Sequence, residues 1–220
     1  MEFVCLLNDV ALRLFRQQKF DEAEKALDKA LKHVRQASAT SVLPASVPSV
    51  RPLCVGTLAT PVKDEEQLEY FNRGFVLTDE VWEWSHPEVL EVLFYLTFNR
   101  GLVSHYRGLQ SASNESDLRK AYEYYRISLA FLEESHEQYE LPVHNAMLLV
   151  GYMAACENVA HLHHHFCNRT EALYFHSYFL KAFALHSRMA EMGPREAEFF
   201  AFRAHMATQP SLTRLHAGAA

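Results

Sequence analysis

The residues best suited to metal chemistry form a histidine cluster near the end of one predicted helix. Residues 161–167 read HLHHHFC. On a helix His161 and His165 lie one turn apart on the same face, which is the spacing of a two-histidine metal pair, and Cys167 follows with a thiol. Zinc needs three or four ligands, however, and no HExxH or CxxC motif accompanies the cluster. We therefore expect surface or interface histidines, and we expect no metal and no other cofactor.

Motifs for covalent catalysis and for nucleotide binding are absent from the sequence. It contains no Gly-x-Ser-x-Gly elbow, no GxGxxG and no phosphate-binding glycine loop. Ser104 and His105 are neighbours, but a catalytic triad is a spatial arrangement that adjacency does not indicate. The formal charge of −6 provides no basic field for phosphates, so we expect no nucleic-acid partner. The sequence predicts a protein that is not an enzyme.

The composition is that of a folded chain with few tight turns. Of 220 residues, 49% are hydrophobic and 22% charged, while glycine (7) and proline (8) are scarce. The first residues include acids, unlike a signal peptide, and no run reaches the roughly 18–20 apolar residues of a membrane span. Four cysteines without a framework favour reduced thiols. We expect a soluble, cytoplasmic protein.

Helical periodicity covers most of the chain. Residues 1–36 predict a first helical hairpin, with apolar positions at helical spacing on both sides of a break near Gln18. Residues 37–86 hold repeated prolines up to Pro61 and predict a linker, in which 69–77 is a short strand or an extended segment lying on the helices. Further helices are predicted at 87–107, 117–134, 142–166, 170–192 and 195–206, and a disordered tail at 207–220.

Small residues recur at matching places in three predicted helix pairs. A missing side chain lets two helix backbones approach closely, so these residues predict the helix contacts. The pairs are Ala11 with Ala23, Gly101 with Ala121, and Ala160 with Ala172.

This pattern resembles the tetratricopeptide repeat, which consists of paired helices with about 34 residues per repeat. The likeness covers roughly residues 4–36, 88–133 and 143–190, with Gln18 standing where glycine is commoner. More narrowly, the chain resembles a group of tetratricopeptide-like proteins of diatoms and related algae. Residues 70–73 (YFNR) and 158–163 (NVAHLH) look like two features of that group.

The resemblance implies an all-α fold, a right-handed superhelix of about three hairpins plus a C-terminal helix, with one Pro-rich excursion. Such a fold implies a groove for a protein or peptide partner, for which Asn99, Asn158 and Tyr125 are candidate residues. We therefore predict an adaptor or scaffold. Two alternatives stay open: a metal-binding or enzymatic helical protein using the cluster from His161 to His165, and a self-associating structural subunit.

One known mode of tetratricopeptide recognition does not fit this sequence. Some of these proteins bind the C-terminal carboxylate of chaperone tails through a clamp of lysines, arginine and asparagines. Asn99 matches one clamp asparagine, but Asn8 and Leu12 stand where the clamp needs lysine and asparagine. Ala154 and Asn158 stand where it needs lysine and arginine. We expect no carboxylate-clamp chaperone binding.

Overall fold

Seven α-helices and one two-stranded sheet form the part of the chain that the computed structural model describes, namely residues 2–39, 48–52, 70–79, 86–110, 115–135, 146–186 and 194–208. In chain order the elements are α1 (Glu2–Arg16), α2 (Phe20–Ala39), β1 (Pro48–Pro52), β2 (Phe75–Asp79), α3 (His86–Gln110), α4 (Glu115–Ser135), α5 (Ala146–His165), α6 (Arg169–His186) and α7 (Pro194–Thr208). The prediction of a mostly helical protein is confirmed. No helix among these residues is long and apolar enough to cross a membrane.

The helices begin and end within a few residues of their predicted positions. The third helix, for example, continues to Gln110 instead of ending near residue 107, and the last reaches Thr208. The predicted helix start at Pro142, the predicted helix end at Met192 and residues 209–220 of the predicted tail lie outside the described residues.

The chain divides into two compact units. Unit 1 contains residues 1–62 and 72–142, and unit 2 contains residues 63–71 and 143–220. The predicted hairpin 1–36 lies within unit 1. The predicted segments 37–86 and 87–206 each contribute residues to both units.

Unit 1 is built from two helical hairpins. The helix α1 packs on α2, α3 packs on α4, and α2 packs on α3. Ala11, Ala23 and Ala121 are completely buried at these contacts. Gly101 is needed at its position because an added Cβ would lie 2.8 Å from a ring carbon of Tyr125. Closely packed helix backbones account for the small residue types here.

A charged network joins α2, α3 and α4 of unit 1. The Nε of Arg107 donates to Asp117 at 2.6 Å, and its Nη2 donates to Glu24 at 3.1 Å. Ser104 donates to the same Glu24 carboxylate at 2.8 Å. Burial alone raises the pKa of Asp117, but the Arg107 hydrogen bond holds it below its ordinary value. The partly buried guanidinium thereby links three helices through charge-assisted hydrogen bonds.

The two strands pair antiparallel, with Pro48 opposite Asp79 and Pro52 opposite Phe75. Residue 69 lies outside the described residues. For residues 70–77 the interpretation as a strand or an extended segment is confirmed, because 71–74 is irregular and β2 begins at Phe75. A strand inside the Pro-rich stretch was not predicted. Its prolines stand at the two ends of β1, where the missing N–H groups leave the middle of the ladder intact.

Unit 2 packs α5 on α6 and α6 on α7. The completely buried Glu157 of α5 accepts hydrogen bonds from His176 Nδ1 at 2.9 Å and from Arg203 Nε at 2.6 Å. Burial raises the pKa of Glu157, but these two partners outweigh burial and hold it below the ordinary value. One carboxylate therefore connects all three helices of unit 2.

The turns between α1 and α2 and between α5 and α6 have the same hydrogen bonds. In the first, Lys19 N donates to Leu14 O at 3.0 Å and Gln18 N donates to Phe15 O at 2.9 Å. In the second, Asn168 N donates to His163 O at 2.8 Å, and Cys167 N donates to His164 O at 3.0 Å. This is the Schellman pattern of helix ends.

Each of these turns requires a left-handed residue. Gln18 has φ 60° and Cys167 has φ 57°, and each follows the first small residue of its hairpin (Ala11 or Ala160) by seven positions. Asn168 is then the N-cap of α6 and accepts a hydrogen bond from Glu171 N at 3.4 Å. The two hairpins thus match in detail although they are 149 residues apart (160 − 11).

Replacing Gln18 by glycine is expected to stabilise the protein. A side chain in the left-handed region costs about 1 kcal/mol that glycine does not, which corresponds to an increase of roughly 2–4 °C in Tm. The control is Gln17→Gly at the neighbouring exposed position, which has ordinary φ and should lower Tm. Thermal unfolding by circular dichroism measures both. Equal decreases in Tm would contradict the assigned turn.

Candidate functional site

In unit 1 the side chain of Asn99 binds the main chain of Phe75. The amide N–H of Phe75 donates to Asn99 Oδ1 at 2.7 Å, and Asn99 Nδ2 donates to the Phe75 carbonyl at 2.7 Å. Both residues are completely buried. One carboxamide therefore satisfies both polar groups of one residue of an extended segment, as a neighbouring β-strand does.

Asn8 of α1 completes this arrangement. Its Nδ2 donates to the same Phe75 carbonyl at 2.9 Å, and its Oδ1 accepts from Asn99 Nδ2 at 2.9 Å. Asn8 is also completely buried. The carbonyl of Phe75 thus receives two hydrogen bonds, and the bond between the two asparagines fixes the orientation of both amides.

The side chain of Phe75 occupies an aromatic pocket of unit 1. Its ring lies 5.0 Å from the ring of Tyr95 and 5.1 Å from that of Phe98. At the preceding residue, Gly74, an added Cβ would lie 2.3 Å from Leu12 Cδ2. A side chain at this position would therefore have to displace the buried Leu12, so glycine suits the close approach of the segment to α1.

Unit 2 contains a second clamp of the same kind. Asn158 Oδ1 accepts from the amide of Phe71 at 2.6 Å, and Asn158 Nδ2 donates to the Phe71 carbonyl at 3.0 Å. The ring of Phe71 stacks on Phe200 at 5.4 Å with an interplanar angle of 4° and meets Phe199 edge-on at 5.6 Å. Main-chain binding and an aromatic pocket again occur together.

The two clamp asparagines occupy matching positions in their helices. Asn99 precedes Gly101 by two residues, and Asn158 precedes Ala160 by two residues. The carboxamides recognise groups that every peptide carries, whereas the aromatic pockets favour a large apolar side chain. This arrangement can bind extended polypeptide, with selectivity from the pockets.

The predicted groove residues have two different locations. Asn99 and Asn158 do bind an extended segment, but it is a segment of this chain. Tyr125 does not line a groove: it is completely buried in unit 1, with its ring 5.3 Å from that of Phe98 and its hydroxyl 3.3 Å from His105 Nδ1. Its interpretation as a groove residue is wrong, because a tyrosine at helical spacing serves equally well in the core.

Sequence reasoning missed the two clamped phenylalanines. The available signal was a pair of aromatics four residues apart, Phe71 and Phe75, in the β-prone stretch, together with an asparagine two residues before a small residue in two helices. Asn8 carried no comparable signal, because it lies three residues before Ala11 instead of two.

The histidine cluster does not converge on one point. His161 packs against the Tyr70 ring at 5.3 Å, and His163 stacks on Phe175 at 5.7 Å. His164 Nε2 lies 3.3 Å from His176 Nε2, while the candidates His165 and Cys167 are exposed. Within the described residues no group of three or more His, Cys, Asp or Glu side chains is placed to hold a metal ion.

His161 is kept neutral by its surroundings. Burial lowers its pKa to about 4, and the positive charge of Arg203 acts in the same direction. Burial, followed by the neighbouring His176, also lowers the pKa of His164. His161 therefore packs in unit 2 as a neutral aromatic side chain, whereas His164 is exposed.

Comparison of the chain with protein-family models, with curated proteins and with solved structures found no match. The tetratricopeptide-like relationship therefore stays a prediction, which rests on the residues and turns of this chain.

Removing the amide of Asn158 is expected to expose one particular main-chain proton. In Asn158→Ala the N–H and C=O of Phe71 lose their partners, at a cost of about 2–4 kcal/mol in the free energy of unfolding. Hydrogen exchange followed by NMR should show a loss of protection at Phe71 of tenfold or more beyond the global change. The amide of Phe75 should keep its protection relative to global stability, because Asn99 is intact. The matched control is Asn168→Ala, which removes an exposed helix cap and should leave the amide of Phe71 protected. If the protection of Phe71 is unchanged in Asn158→Ala, the clamp is excluded.

Stability is expected to fall between pH 7 and pH 5, in part through His161. Since its pKa is about 4 in the folded chain and roughly 6.5 when unfolded, the unfolded state binds more protons in this window, and the free energy of unfolding decreases as pH falls. His161→Gln should reduce that decrease by on the order of 1–2 kcal/mol. Urea unfolding at pH 7 and at pH 5 measures the decrease in the free energy of unfolding. The control is His33→Gln, which replaces an exposed histidine of unit 1. An identical pH dependence in wild type and His161→Gln would contradict the burial of this ring.

Proposed function

We propose that this chain is a non-catalytic protein-interaction adaptor or scaffold built from tetratricopeptide-like hairpins, and that it binds extended polypeptide through asparagine side chains. The observation that carries the proposal is the repeated clamp, in which Asn99 and Asn158 each bond both main-chain groups of a phenylalanine. The predicted superhelix and a cytoplasmic location belong to the same proposal, as does the absence of nucleic-acid and chaperone-tail partners.

The chemistry of the clamp supports binding to a partner. On the bound segment, the hydrogen bonds of Asn99 and Asn158 go to the N–H and C=O of Phe75 and Phe71, which are groups that any extended segment offers. In this structure the chain's own residues take that place. A partner segment with a large apolar side chain presents the same groups and competes for the same amides.

The turns support the hairpin relationship. Gln18 and Cys167 adopt the same left-handed conformation at equivalent positions, and the surrounding hydrogen bonds are the same. Two hairpins that agree in small residues, turn conformation and hydrogen bonds are expected of repeated units.

Self-association is the second candidate, because α1 carries an exposed apolar face. Phe3, Leu6 and Val10 follow one another at spacings of three and four residues, and Leu6 is 57% exposed. Sedimentation at several concentrations, with Leu6→Glu as the disrupting variant, distinguishes a self-associating subunit from an adaptor.

The adaptor proposal is tested by offering the clamp of unit 1 a peptide in trans. The probe is a fluorescent peptide with the sequence of residues 72–79 (NRGFVLTD), added to wild type and to Phe75→Ala. We expect binding at least tenfold tighter to Phe75→Ala, because its own segment no longer fills the aromatic pocket. Phe75→Leu is used in place of Phe75→Ala if the alanine variant does not fold.

Two controls identify the clamp in this experiment. A peptide methylated on the nitrogen of Phe75 cannot donate to Asn99 Oδ1 and should bind about tenfold more weakly, as expected for one lost hydrogen bond. Methylation on Asn72, whose amide takes no part in the clamp, should have little effect. Failure of the unmodified peptide to bind, or equal binding of the two methylated peptides, would refute recognition in trans.

A further inference from the structure

A cleft separate from the asparagine clamps opens on unit 1. Its volume is about 440 Å³, within the range of ligand-binding sites. Residues of α2, α3 and α4 line it, and the α2 side extends from Asp28 to Gln36. Nine helical residues correspond to a length of roughly 13 Å, which matches about four residues of an extended peptide.

Two residues that line the cleft each have a buried polar atom without a partner among the described residues. Thr97 of α3 is 2% exposed, and its Oγ1 has no hydrogen-bond partner among the described residues. The same holds for the Nε of Arg100 one turn further along α3. Five side-chain atoms of the described chain have this property, and two of them belong to residues of this one cleft. Because both can donate a hydrogen bond, the cleft is suited to a ligand rich in acceptor oxygens.

The charge of the cleft is positive. Arg100 is oriented by an ion pair with Asp28 and by the Tyr124 ring, whose centroid lies 4.5 Å from its guanidinium carbon. Lys32 and Arg35 line the same cleft from α2 and are exposed. Three cationic side chains and one carboxylate therefore line the cleft, in a protein whose formal net charge is −6. A local excess of positive charge on an acidic chain favours an anionic ligand.

The remaining walls are apolar. Leu31 of α2 and Ile127 of α4 line the cleft, and Ile127 is 40% exposed. A ligand that fits both surfaces carries an anionic oxygen group and an apolar side chain within a few residues of each other. The carboxylate of Asp28 adds a repulsion that a doubly charged phosphate feels more strongly than a singly charged carboxylate.

We infer that this cleft binds a short acidic peptide segment of a partner protein, with carboxylates held by Lys32, Arg35 and Arg100 and an apolar side chain resting between Leu31 and Ile127. Thr97, which lines the same cleft, supplies its hydroxyl as one further donor. This inference does not depend on the asparagine clamps, which bind main-chain groups of a different segment.

The test measures binding of a fluorescent peptide with the sequence Glu-Glu-Leu-Glu to the full chain by anisotropy. We expect a Kd in the micromolar to low millimolar range that weakens with added salt. Lys32→Glu with Arg35→Glu should weaken binding at least tenfold. Lys19→Glu with Lys25→Glu has the same net charge change at exposed positions of unit 1 outside the cleft and should change the affinity less than threefold. A peptide with glutamine in place of glutamate should not bind.

A second variant separates binding from stability. Thr97→Val removes a buried hydroxyl without a partner, so Tm should rise or stay unchanged while peptide affinity falls several-fold. The inference is overturned if the two double variants weaken binding equally, if inorganic phosphate displaces the peptide at lower concentration than free glutamate does, or if Thr97→Val leaves affinity unchanged. Loss of peptide binding to the clamp of unit 1 with intact binding here would refute only the proposed function.

Discussion

The main-chain groups of a buried, extended segment must find hydrogen-bond partners, and this constraint explains most of the site. Phe71 precedes the strand and Phe75 begins it, yet both are buried, so water does not satisfy their amides and carbonyls. Asparagine carries a donor and an acceptor in one short planar group and can therefore replace the missing neighbouring strand. The carboxamides of Asn99 and Asn158 do this in unit 1 and unit 2 respectively. Removing Asn158 would take away a hydrogen bond from both the N–H and the C=O of Phe71. Removing Asn99 would take away the bond to the Phe75 N–H and one of the two bonds to its carbonyl. Either loss is buried and costs far more than one exposed hydrogen bond.

The clamps in turn depend on how the helices are spaced. Asn99 and Asn158 each stand two residues before a small residue, Gly101 or Ala160, at which the helix approaches its partner closely. A bulkier residue there would move the helix and the amide with it: at Gly101 an added Cβ would meet the ring of Tyr125. The same demand for close approach explains why the helical hairpins keep small residues although alanine and glycine contribute little apolar area. Helix packing and peptide binding are thus connected through a few positions.

Each unit also uses one charged side chain to hold three helices. In unit 1 Arg107 binds carboxylates from α2 and α4, and in unit 2 Glu157 binds His176 of α6 and Arg203 of α7. Charges that are partly buried, like Arg107, or completely buried, like Glu157, are stabilising only when their partners are well placed, so they favour one arrangement of the helices over others. Arg100 differs because its Nε lacks a partner among the described residues and its cleft is open to ligand. A buried donor without a partner, in a residue that lines an open cleft, favours ligand binding at that cleft.

The helices, their approximate ends, the small-residue contacts and the β-prone stretch were predictable from the sequence, because helical and strand periodicity are local properties. Asn99 and Asn158 were named as candidate groove residues because of the resemblance to tetratricopeptide repeats. The tertiary structure decided what those asparagines bind, since the partners Phe71 and Phe75 lie 87 and 24 residues away in the chain and no local pattern connects them. It also decided that Tyr125 is buried and that the histidines from His161 to His165 point to different neighbours. Periodicity indicates which residues share a face of a helix, whereas packing alone determines what that face meets.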